Sequence, residues 1–133
     1  MDILLDTSIW ALYLRPGGQN EVKTEVRKAL EGQRVWTCQV VIAELLVGAR
    51  DDVAFEDLAE VLSALPEVSL DETIWKGAAR IGYQMRRAGT LVPLPDLLIA
   101  QAAISRGLEL WHADADFERI RQVVPLATRS FLP

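Results

Sequence analysis

The sequence predicts a three-layer α/β/α domain built on a short, mostly parallel sheet of four to five strands. Short apolar runs that read as strands alternate with longer runs of helical periodicity. Those strands are apolar without alternation, as strands covered on both faces are. Length agrees, since 133 residues make one domain, 1–133, with a sizeable core and no room for a second.

Ile3-Leu4-Leu5 is the first strand, followed by Thr7-Ser8 and a helical run from Ile9 to Leu14. Glu21 to Leu30 sets Val22, Val26, Ala29 and Leu30 on one helix face, and Val35-Trp36-Thr37 is the next strand. Val40 to Val47 is apolar nearly all round, the mark of a buried helix. Phe55, Leu58, Ala59 and Leu62 give the following helix one oily face, and Val68-Ser69-Leu70 is a third strand. Asp71 caps a long helix reaching about Arg87. Asp96 precedes a helix from Leu97 to Arg106 that stops at Gly107. Leu108 to Trp111 is the fourth strand, Phe117 to Gln122 a short helix, and Val124 to Ala127 a fifth strand. Turn signals separate the elements at Arg15-Pro16-Gly17-Gly18, Glu31-Gly32, Leu65-Pro66, Arg87-Ala88-Gly89, and Pro93 with Pro95.

Composition narrows the function. The formal net charge of -5 excludes a surface that is cationic as a whole. Contact with nucleic acid would need a local basic face or a cation held by acidic residues, and an acidic surface suits a basic protein partner. The single Cys38 rules out an internal disulfide and fits a reducing, cytoplasmic location. The opening MDILLD is neither a secretory signal nor a span, and no window approaches the roughly 18 apolar residues a membrane helix needs.

Chemistry concentrates in the acidic residues. Asp6 follows the first strand, Asp114 and Asp116 follow the fourth, and open parallel sheets bind ligands beyond the carboxyl ends of their strands. Asp is also a favoured helix cap, and Asp6, Asp96 and Asp114 or Asp116 each precede a helix, Asp116 being the one a cap explains best. Glu44 stands apart, in the middle of VVIAELLV. A carboxylate in a buried helix is costly unless it pairs with an arginine, lies on an exposed stripe, or meets a cation. If Glu44 enters the same crevice as the aspartates, a divalent cation relieves their mutual repulsion. Oxygen ligands favour Mg²⁺ or Mn²⁺ over zinc. One His112 and one Cys38 cannot make a zinc site, and no glycine-rich phosphate loop or G-x-S-x-G elbow is present. Acids with Mg²⁺ on an α/β sheet point to phosphoryl chemistry.

Four segments in order, LLDTSIW at 4–10, VIAELLVGA at 41–49, PLPDLLIAQAA at 93–103 and HADADF at 112–117, resemble the PIN-domain ribonucleases, specifically the VapC toxins of VapBC toxin–antitoxin pairs. The likeness spans essentially the whole chain. It implies a PIN-like fold, hydrolysis of RNA phosphodiester bonds with Mg²⁺ (Mn²⁺ in its place), and tRNA or ribosomal RNA as target. It assigns Asp6, Glu44, Asp96 and Asp114 to an acidic metal site, with Asp116 as an adjunct and Thr7 or Ser8 hydrogen-bonding within it. It further implies a VapB-type antitoxin and a homodimer, with the helices of 40–63 as an interface.

On the helix ending at Arg87, Ile74, Ala78, Ile81 and Met85 form the core stripe, while Lys76, Arg80 and Arg87 fall on another face. Those cations either contact RNA phosphates or make an ordinary solvated face. Trp10, Trp36, Trp75 and Trp111 sit in apolar runs as core residues, and His112 is a strand-end residue satisfied by a neighbour. The alternative to an endoribonuclease is a catalytically weak PIN-like module that works by binding a protein partner, through the acidic surface and the face of Phe55, Leu58 and Leu62.

Overall fold

A computed structural model describes residues 1–18 and 20–133. Its elements run β1 (Ile3–Leu5), α1 (Thr7–Leu14), α2 (Asn20–Glu31), β2 (Val35–Cys38), α3 (Gln39–Val47), α4 (Asp52–Ser63), β3 (Glu67–Val68), α5 (Glu72–Arg87), α6 (Leu94–Arg106), β4 (Glu109–His112), α7 (Ala115–Ile120) and β5 (Thr128–Ser130). The sheet has the order β3-β2-β1-β4-β5, and every pairing is parallel. Ile3, Leu4 and Leu5 are all fully buried, which requires cover on both faces of the sheet.

Chain order reverses beside β1. The chain runs outward through β2 and β3, then returns to place β4 on the other side. Connections leaving β1 and β4 therefore diverge, and a crevice opens at the carboxyl edge between them. Leu5 lies opposite Trp111, and the Asp6 amide donates to the Trp111 carbonyl at 3.0 Å. Asp6 and His112 thus leave the sheet side by side.

Several boundaries differ from the sequence expectation. The third strand is Glu67–Val68, ending earlier than Val68 to Leu70. The fifth is Thr128–Ser130 rather than Val124 to Ala127. It is a polar edge strand, recruited by main-chain pairing to β4, so it carries no apolar signal. Helix α6 starts at Leu94 with Pro95 in its first turn, so Asp96 lies inside the helix and caps nothing.

The largest correction is α3. Its sequence is apolar all round, yet only Val41 is buried, Val47 is 86% exposed, and Glu44 is exposed. The helix leaves β2 directly and packs on α1, α4 and α6, which cover one side and leave the rest to solvent. An unbroken apolar pattern reports no face, so it could not show which side was covered. Trp75 is likewise 47% exposed rather than a core residue, and Trp36 is half-buried with its indole N–H on Asp2 at 3.1 Å. Trp10 and Trp111 do fill the core. Among the described residues, no helix is long and apolar enough to cross a membrane.

Candidate metal centre

Asp6 ends β1 and caps α1. It is 4% exposed, and its Oδ2 accepts from the Ser8 amide at 3.0 Å and the Ser8 hydroxyl at 2.5 Å. The Ser8 oxygen in turn accepts from the Ala113 amide at 3.0 Å, tying the start of α1 to the segment after β4. On that segment Asp114 caps α7, its Oδ1 accepting from the Asp116 amide at 2.9 Å. The cap is therefore Asp114, not Asp116. Asp116 makes an ion pair with Arg119 at 2.6 Å.

Asp96 reaches the same place from the first turn of α6. One carboxylate oxygen each of Asp96, Asp114 and Asp116 lies within 4.8 Å of the others. Burial, followed by the charges of Asp114, Asp6, Asp116 and Glu44, pushes the Asp96 carboxyl up to about 7. Asp6 is also raised, chiefly by burial and slightly by Glu44, against the lowering effect of its bonds to Ser8 and Thr7. Asp96 thus feels the charges of the other four acids, and Asp6 that of Glu44.

The structure does not gather them equally. Asp96, Asp114 and Asp116 form the close trio, with Asp116 a full member where the sequence made it an adjunct. Asp6 stands beside them with one oxygen committed to Ser8. Glu44 is neither buried nor paired with an arginine. Its Oε1 accepts a hydrogen bond from the Thr7 hydroxyl at 2.7 Å, at the rim.

The donor set fits a hard divalent cation. It is all oxygen and anionic, and burial together with the neighbouring charges leaves one of its carboxyls, Asp96, titrating at about 7.

Lys76, Arg80 and Arg87 lie exposed on α5, with Ile74, Ala78, Ile81 and Met85 buried on its other face. Lys76 pairs with Glu72 at 2.9 Å, and Arg80 and Arg87 both lie over the Tyr83 ring at 5.9 Å. Pattern reasoning passed over Tyr83, although its position between two arginines at helical spacing was visible.

The PIN domain family model matches residues 3–123. The chain belongs to the PIN-domain family. Within it, this PIN domain is 38% identical to Ribonuclease VapC11 of Mycobacterium tuberculosis and to VapC ribonuclease Mb1587 of Mycobacterium bovis, over 97% of its length and 98% of theirs. Its fold is shared by the VapBC2 structure from Rickettsia felis, bound to a DNA fragment from its promoter. The TM-score is 0.80 at 18% identity, over 98% of this chain and 99% of that one. The PIN fold accounts for the five-stranded parallel sheet.

Proposed function

We propose that this PIN domain is a cytoplasmic, Mg²⁺-dependent endoribonuclease that hydrolyses RNA phosphodiester bonds, the toxin of a pair with a VapB-type antitoxin. The observation that carries the proposal is the trio Asp96, Asp114 and Asp116, with Asp6 and Glu44 close enough to perturb it. The ribonuclease names of relatives at 38% identity support the reaction class. Mn²⁺ suits the same oxygens.

In this mechanism Asp96, Asp114 and Asp116 would hold the ion, with Asp6 in its buried seat beside Ser8. When bound, the ion supplies Lewis-acid chemistry, making water more acidic and offsetting charge that grows on the phosphate oxygens. Asp96, raised to about 7, would hold the ion as the carboxylate and leave its proton to solvent, since ion and proton compete for the same oxygens. Glu44, tethered by Thr7, faces solvent at the rim and is the acid most open to an incoming RNA strand. Lys76, Arg80 and Arg87 supply phosphate contacts along α5, with tRNA or ribosomal RNA as the substrate class.

The test is cleavage of purified RNA with Mg²⁺, with EDTA, and by Asp6→Asn and Asp96→Asn. Cleavage should stop with EDTA and fall at least a hundredfold in the double variant. Undiminished cleavage by the double variant rejects the nuclease and leaves the interaction module. Replacing Lys76, Arg80 and Arg87 by Ala should weaken RNA binding and flatten its salt dependence. The log–log slope should fall by roughly 0.7 for each single-strand phosphate that the variant no longer neutralises.

An apolar cleft of about 390 Å³ between α1, α2 and α4 is the place for the antitoxin. Trp10, Tyr13, Leu14, Leu30, Leu58 and Val61 line it, and Leu14 and Val61 are half exposed. Exposed apolar surface of this kind is uncommon unless a partner covers it. Val61→Asp should block formation of the toxin–antitoxin complex while leaving cleavage intact. The proposed homodimer uses the remaining exposed apolar residues of α3 and α4, Val47 and Val53 among them.

A further inference from the structure

We infer that His112 is a positioning residue: its imidazole, anchored by Glu118, holds the Asp114 amide and so sets the direction from which the Asp114 carboxylate enters the metal centre. The inference rests on the metal reading above and adds a residue to which that reading gives no role.

His112 is the last residue of β4 and is completely buried. A buried imidazole must satisfy both ring nitrogens, and a leucine or phenylalanine would fill the space without that demand. Its Nδ1 receives the Asp114 amide at 3.1 Å. An amide can only donate, so Nδ1 carries the lone pair and Nε2 the hydrogen. Nε2–H donates to Glu118 Oε2 at 2.7 Å. That oxygen also takes the Thr128 hydroxyl at 2.9 Å, and the other takes Arg121 at 3.2 Å. Glu118 is thereby fixed by Arg121 at the end of α7 and by Thr128 of β5. Phe117 closes the ring's flank with centroids 5.3 Å apart.

The turn between β4 and α7 shows what this accomplishes. Its two successive amides are taken by side chains, Ala113 by Ser8 and Asp114 by His112. Side chains, rather than a ladder or helix, therefore set the course of this turn. Asp114 commits one oxygen to the Asp116 amide, so the direction of its other oxygen follows the main chain. Ser8 secures the turn on the Asp6 side, and His112 secures it on the α7 side.

Two substitutions separate the ring's two bonds. Asn at 112 keeps an acceptor in reach of the amide two residues on, as in an Asx turn, and drops the Glu118 contact. Gln reaches toward Glu118 and leaves the Asp114 amide without an acceptor. Amide hydrogen exchange by NMR in EDTA reads the geometry without any metal. Calorimetric titration of Mn²⁺ then reads its consequence. In His112→Gln the Asp114 amide should exchange about tenfold faster, and Mn²⁺ should bind about tenfold more weakly, the size typical of residues that orient metal ligands. His112→Asn should stay close to the native chain in both. Equal Asp114 exchange and equal Mn²⁺ affinity in all three overturn the inference. If neither variant folds, Glu118→Ala decides, because it frees the ring from a half-exposed site. A several-fold loss of Mn²⁺ affinity supports the inference, and an unchanged affinity overturns it. A native chain that takes up no Mn²⁺ overturns the metal reading and this inference together.

Discussion

Thr7 Oγ1 donates to Glu44 Oε1 at 2.7 Å, joining the first turn of α1 to the middle of α3. The acid that the apolar run VVIAELLV set in a core is at the surface, held by a hydroxyl. Its presence therefore needs no cation to offset burial. What links it to the site is its position, which adds to the charge acting on Asp96 and Asp6.

Glu44→Ala should accordingly change the unfolding free energy of the metal-free chain by less than about 1 kcal/mol, the usual range for a surface substitution. Glu44→Gln should still lower Mg²⁺-dependent RNA cleavage, on the order of tenfold. Urea unfolding and a cleavage assay separate the two effects. A loss of several kcal/mol in Glu44→Ala would show that the carboxylate supports the core.

Asp114 caps α7 and has a proposed role in the metal centre, and Asp114→Asn divides the two. Asn caps helices about as well as Asp, since its side-chain oxygen can still accept from the Asp116 amide. The variant should melt within a few degrees of the native chain in EDTA, yet lose Mg²⁺-dependent stabilisation and cleavage. If stability collapses while Mg²⁺ still raises the melting temperature, Asp114 is a cap and little more.

The carboxyl of Asp96 makes stability depend on pH. Folding raises it from 3.8 to about 7. Between those values the folded, metal-free chain holds more proton than the unfolded chain. This contribution is therefore complete in acid, is lost as pH rises toward about 7, and levels off above. Thermal unfolding in EDTA should fall with pH more steeply in the native chain than in Asp96→Asn. At about pH 8 the variant should be the more stable, and Mg²⁺ should stabilise only the native chain. Parallel curves for the two proteins would remove Asp96 from the interacting cluster.

Close packing of α5 on α6 gives a contrast between two glycines. A Cβ at Gly82 would stand 2.7 Å from Leu97 Cδ1, whereas one at Gly77 would stand 2.5 Å from the side chain of Gln101. Leu97 is buried, so its methyl can turn aside only by pressing on other core atoms. Gln101 is only partly buried and can rotate aside. Gly82→Ala should destabilise by about 1–2 kcal/mol, overpacking outweighing the helix propensity gained. Gly77→Ala should be neutral or stabilising by up to about 1 kcal/mol. Chemical denaturation of both variants checks the order, and a stable Gly82→Ala would show slack between the helices.

Much of this was legible in the amino-acid sequence. The alternation of apolar runs specified the layered architecture, because strands buried on both faces must be apolar throughout. The core stripe of α5 and its Asp71 cap followed from helical spacing and from the need to satisfy the first N–H groups. The acids were visible as residues at strand ends.

Tertiary structure alone decided the rest. An α3 apolar on every side holds no record of which neighbours cover it, so the exposure of Glu44 emerged only from the packing on α1, α4 and α6. Strand β5 forms because β4 offers it main-chain partners, not because its residues are apolar. The membership of Asp116 in the close trio depends on the turn after β4, which Ser8 and His112 fix through bonds reaching from elsewhere in the fold. Local pattern determines which surface each element must bury, while distances between side chains remote in sequence arise only when the elements are packed together.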